Sequence, residues 1–120
     1  DGYRRNTVFA GFSLGALSAI DIAYSMKDIF GIVGVFSGAL WWRYSHDTPP
    51  HDPDAGRIMH DIVQNSSGWD GKQRYYFQTG TLDENEDRNH NGVIDSIDDT
   101  IDLIRELKLK FTSDEAIVYH

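Results

Sequence analysis

The chain has no cysteine, which excludes disulfides, thiolate catalysis and zinc–sulfur sites and is compatible with any compartment. Positive charge is scarce: 11 Lys and Arg stand against 19 Asp and Glu, for a formal net charge of −8. Nucleic acid and anionic membranes both need a basic face, so neither is expected as a partner. No apolar run approaches the roughly 18 residues that a membrane-spanning helix requires. No signal-peptide pattern is visible, and the first residue is Asp1 rather than Met, so cytoplasmic, periplasmic and secreted placements all stay open. Prolines number three, all at positions 49 to 53, so the segment 43–53 is expected to be a loop.

What is present describes a globular domain. Hydrophobic residues make up 40% of the 120 and aromatics 12%, enough for a packed core. Thr7 to Ala10 is a short β-branched and aromatic run that stops at Gly11, which reads as a buried strand. From Gly15 to Met26 the period changes to helical, with Leu17, Ile20, Ala23 and Tyr24 on one side. Ile32–Phe36 and Arg74–Gln78 read as further strands, and Ala116–Tyr119 as a fourth. A helix is expected from an Asp54 cap to about Gln64, and another over Asp98–Lys110 with an Ile101, Ile104 and Leu107 stripe. Apolar strands alternating with helices predict an α/β fold with a parallel sheet covered on both faces.

Gly11-Phe12-Ser13-Leu14-Gly15 is a G-x-S-x-G sequence between the first strand and the first helix. A sharp strand-to-helix turn there raises the serine hydroxyl to the top of the sheet, and the two glycines are expected to let strand and helix approach. The helix start behind Ser13 offers orphan N–H groups to a developing oxyanion, that of Leu14 first. Three fixed positions of this kind recur by chance in roughly one chain of this length in twenty or thirty. The strand before and the small-residue helix after are what a chance match would lack. Ser13 is therefore the candidate nucleophile. Trp41 and Trp42, just past Ser37-Gly38, could line an acyl or aromatic pocket, and their size favours buried packing.

The run Arg4 to Gly15, with Phe36-Ser37-Gly38 one strand later and Gly80-Thr81-Leu82-Asp83 after the next, resembles the esterase D family of α/β-hydrolases, which includes enterochelin-esterase-like and feruloyl-esterase-like enzymes. The resemblance implies a three-layer α/β-hydrolase sandwich and a serine carboxylic-ester hydrolase with a Ser, acid, His order. It places the acid at Asp83, one residue before Glu84, which could substitute for it. It also implies that residues 1–120 are one piece of a single domain, without its first strands or the histidine loop. Among the five histidines, His46, His51 and His60 precede the acid and His90 lies in the acidic loop. His120 sits directly on the end of the last strand, earlier than the family's histidine, and stays a weak alternative base. A chain without the base is not expected to turn over an ester. An acyltransferase of the same fold differs only in the acceptor of the acyl group.

Asp87 to Asp98 follows the pattern of an EF-hand loop. Asp87, Asn89 and Asn91 supply side-chain oxygens at alternating positions, Gly92 the turn, Val93 a carbonyl, Asp95 a ligand through water, and Asp98 the last carboxylate. Asp rather than Glu at that last position is dockerin-like. Many ligands, all oxygen, favour Ca²⁺ in a structural role, and no organic cofactor is expected. A calcium-dependent interaction module of the dockerin kind is the alternative, although it carries two such loops and no strands of this sort. The expected partners are a small ester substrate and, through an unblunted edge at residues 7–10, a second copy of the chain.

Overall fold

The computed structural model describes residues 7–43, 55–66, 73–110 and 117–120. Four strands, β1 (Val8–Phe12), β2 (Ile32–Phe36), β3 (Arg74–Gln78) and β4 (Ile117–Tyr119), alternate with three helices, α1 (Leu14–Ser25), α2 (Ile58–Asn65) and α3 (Asp95–Lys110). The strands form one sheet in the order β1-β2-β3-β4. Every pairing is parallel, with Phe9 opposite Val33, Val33 opposite Tyr75 and Tyr75 opposite Ile117. The expected α/β class with a parallel sheet is therefore observed. The Asp54 cap, Ala116, His46, His51 and Arg4 to Asn6 lie outside the described residues.

Two boundaries differ from those the sequence predicts. β1 runs on to Phe12, because Gly11 and Phe12 still pair with Val35 and Phe36 before the chain turns. α3 begins at Asp95 rather than Asp98, with Asp95 and Asp98 both in its first turn, where carboxylates complement the helix dipole.

Alternation along the strands decides what is buried. Val33, Val35, Tyr75 and Phe77 share one sheet face and form a single core cluster with Ile20 and Tyr24 of α1, Met59 and Val63 of α2, and Leu103 and Leu107 of α3. The opposite face carries Val8, Phe12, Tyr76 and Val118, all exposed, Phe12 to 68%. Among the described residues the helices pack on one side, and no second layer covers the other.

Candidate active site

Ser13 occupies a backbone conformation that few non-glycine residues adopt, φ 58 and ψ −120. Its neighbours hold it there. The Ser13 N–H donates to the Phe36 carbonyl at 3.0 Å, and the Ser13 carbonyl accepts the N–H groups of Ala16, Leu17 and Ala39 at 3.1–3.2 Å. The hydroxyl itself caps nothing. Leu14 is the first residue of α1, so its N–H has no helical partner.

The two elbow glycines turn out not to be equivalent. A Cβ on Gly11 would stand closer than 3.0 Å to three backbone atoms, the carbon and oxygen of Gly15 and the nitrogen of Ala16. A Cβ on Gly15 would meet nothing within 4 Å. Strand and helix approach over Gly11 alone, against the expectation that both glycines are needed. Ser37 supplies a second constraint that the sequence did not announce. It too has positive φ, 47, and its N–H donates to Gln78 at 2.7 Å, so the turn after β2 clamps both the elbow and β3.

Ser13 opens onto a cavity of about 280 Å³. Phe12, Leu14, Ala39 and Trp41 form its apolar part; Ser37, Asp83, Glu84 and Ser96 form the polar part. Trp41 is 44% exposed, with its ring 5.4 Å from that of the equally exposed Trp42. The assignment of these two residues to buried packing was wrong: both stand at the surface beside the elbow, since the core below is already filled by Leu40 and its neighbours.

Asp83 and Glu84 line this cavity in different ways. Asp83 is exposed, and its Oδ2 accepts the Gly80 N–H at 2.7 Å, closing its own turn. Glu84 is half-buried, and its Oε1 is shielded from water with no hydrogen-bond partner. Burial raises its carboxyl above the usual range; the Ser96 N–H opposes that shift, and Asp95, Asp99 and Glu86 add to it.

The described histidines, His60, His90 and His120, lie apart from the cavity. His120 is exposed, and its backbone N–H donates to Phe77 at 2.9 Å, extending the sheet. His90 is exposed in the loop, at φ 56. His60 is buried between α2 and α3, where its Nε2 faces the Asp99 carbonyl at 2.7 Å while Nδ1 is buried without a partner. Desolvation, then Arg57, lowers its pKa to about 4.

In the acidic loop the side chains turn inward. Asp87 accepts the N–H groups of Asn91 and Gly92 at 3.1 and 2.9 Å. Asn89 and Asn91 both donate to the same oxygen of Asp98, at 3.3 and 2.7 Å. Gly92, at φ 84, makes the turn. Asp95 is drawn away instead: it accepts the Arg88 backbone N–H at 3.0 Å and lies 3.4 Å from the Arg88 guanidinium. Among the described residues no group of three or more His, Cys, Asp or Glu side chains is arranged to hold a metal. Asp87, Asn89, Asn91 and Asp98 carry oxygens of the kind a hard cation takes, while in this structure the amide N–H groups of Asn89 and Asn91 face Asp98. Behind the loop, sequence reading missed Asp99, which is fully buried between two guanidinium groups. Arg57 donates to it at 2.6 Å, and Arg88 donates to both of its oxygens. Asp99 was hidden among the four aspartates of positions 95–102, and only packing separates it from its neighbours.

The Esterase family model matches residues 1–116. Among solved structures the chain is similar to the crystal structure of an enterobactin esterase from Shigella flexneri in the presence of enterobactin, with a TM-score of 0.66 and 20% identity. That match covers 97% of this chain and 25% of the other, so the chain spans about a quarter of the length of its structural neighbour. At this identity the likeness shows the fold. The comparison with curated proteins returns no match.

Proposed function

Because the chain belongs to the Esterase family, we propose that it is the nucleophile-bearing part of a serine carboxylic-ester hydrolase. The observation that carries this reading is Ser13, held at φ 58 between a parallel strand and a helix start, with its hydroxyl uncommitted and a cavity in front of it. In the reaction the Ser13 Oγ attacks the ester carbonyl carbon while its proton passes to a histidine supplied outside the described residues. The oxyanion forms beside the Leu14 N–H. When the tetrahedral intermediate collapses, the ester C–O bond breaks and the leaving alcohol takes the proton. Water then hydrolyses the acyl-serine by the same route. Asp83 is the acid that accepts the histidine N–H, and its turn opens onto the same cavity as Ser13.

The loop 87–98 is part of the proposal as a structural calcium site. Asp87, Asn89, Asn91 and Asp98 would hold the ion, with the Val93 carbonyl and an Asp95-held water completing the set. The ion would pin the segment between the acid turn and α3, and it takes no part in the bond-breaking steps. The loop's place between β3 and α3 of one sheet supports this role over a separate interaction module.

Labelling of the full-length protein with a fluorophosphonate, with Ser13→Ala as control, tests the nucleophile. The wild type is expected to be labelled and to hydrolyse p-nitrophenyl acetate, and Ser13→Ala to do neither while melting normally. Undiminished turnover by Ser13→Ala would remove the assignment.

A further inference from the structure

Glu84 takes no part in that chemistry, yet it stands in the wall of the Ser13 cavity with one oxygen buried and unpartnered. We propose that Glu84 and Trp41 make this cavity selective for cationic esters: a positive group next to the reacting carbonyl is favoured, and an anionic one is rejected. The proposal rests on Ser13 being the nucleophile.

Three observations carry it. First, the cavity wall holds two carboxylates, Asp83 and Glu84, and no Lys, Arg or His among the described residues. Second, the negative charges near it are unequally compensated. Asp99 is matched by Arg57 and Arg88, and Asp95 by Arg88. Asp83 is exposed to water, which screens it, and also accepts the Gly80 N–H. Glu84 has only the Ser96 N–H, and water does not reach its Oε1. Half-buried, with one oxygen out of water, Glu84 is screened less than Asp83 and biases the cavity toward positive charge. Its raised protonation range has the same origin, burial followed by the neighbouring carboxylates. Third, Trp41 lines the same cavity with 44% of its surface exposed. An indole and a carboxylate lining one cavity can together receive a quaternary ammonium group, which is drawn to the ring and to the negative charge.

The test uses full-length protein in mildly alkaline buffer with calcium present, and three thioesters read by thiol release. These are acetylthiocholine, its uncharged carbon isostere 3,3-dimethylbutyl thioacetate, and the anionic S-acetyl-3-mercaptopropanoate. The expected order of kcat/KM is cationic, neutral, anionic, with about tenfold or more between the first two, the size of effect one poorly screened charge produces. Glu84→Gln should bring the cationic-to-neutral ratio to about twofold, and Trp41→Leu should lower it through KM for the cation. Tetramethylammonium should inhibit wild-type hydrolysis of the neutral thioester competitively, a reading that stands even if Glu84→Gln does not fold. A ratio unchanged in Glu84→Gln, or no inhibition by tetramethylammonium, overturns the proposal and leaves the serine mechanism intact. Loss of all turnover in a normally melting Glu84→Gln also overturns it, since Glu84 would then be the histidine's partner. Only activity surviving in Ser13→Ala would remove the hydrolase reading beneath it.

Discussion

The same substitution at the two elbow glycines, four residues apart, should have opposite signs. Gly11→Ala puts a methyl group closer than 3.0 Å to the Gly15 carbonyl carbon and oxygen and to the Ala16 nitrogen. These are backbone atoms in the first turn of α1, so no side chain can swing aside. Relief requires β1 and α1 to separate, and that interface buries Ala16, Ala19 and Ile20 at 0% exposure. Overpacking of this kind costs typically 1–3 kcal/mol, and a clash with rigid backbone belongs at about the upper end or beyond. Gly15→Ala meets nothing within 4 Å, and Gly15 is not among the positive-φ residues. Inside a helix the change removes unfolded-state freedom and is expected to stabilise by about 0.5 kcal/mol, up to roughly 1. Urea denaturation followed by circular dichroism reads both. The expected result is a midpoint lowered in Gly11→Ala and unchanged or raised in Gly15→Ala, with m unaltered. Two variants of equal stability would refute the reasoning, because the close approach at Gly11 would then not exist.

His60 is held neutral by burial, with its pKa lowered from 6.5 to about 4. The unfolded chain therefore binds the proton more tightly, and stability should be complete above about pH 6.5 and fall as pH drops toward 4, by at most about 3 kcal/mol. His60→Gln should flatten that part of the pH profile, and an unchanged profile would place the titration elsewhere. Calcium should raise the melting temperature by binding only the folded loop, and Asp87→Ala should remove most of the rise; coincident curves in calcium and chelator would make the loop merely acidic. The isolated 120-residue chain should self-associate through β1, whose outer edge is unpaired among the described residues and whose exposed Val8 and Phe12 are unblunted by Lys or Pro. Light scattering at high concentration that finds a monomer of 13.6 kDa would count against that edge.

The sequence by itself determined the elements and their order. Each strand is a short run bounded by glycine or a polar break, and the change from a two-residue to a helical period at Gly15 is local information. The elbow and the oxygen-rich loop were legible for the same reason, since each is a contiguous motif whose spacing reflects backbone geometry, whereas the Gly80–Asp83 turn was marked only by the family resemblance. What only the tertiary structure decided depends on neighbours distant in the chain. Gly11 and Gly15 look alike in sequence, and only the crossing of α1 over β1 makes one indispensable and the other replaceable. Trp41 and Trp42 have the size of core residues, but the core volume was already taken and they remained at the surface. Asp99 and Asp98 are adjacent acids, yet the one-residue helical rotation turns Asp99 between the Arg57 and Arg88 guanidinium groups and leaves Asp98 facing the loop. Glu84 differs from Asp83 by one position, and that step takes its carboxylate oxygen out of water. Burial is a property of all the chain that arrives around a side chain, and a residue's own letter does not carry it.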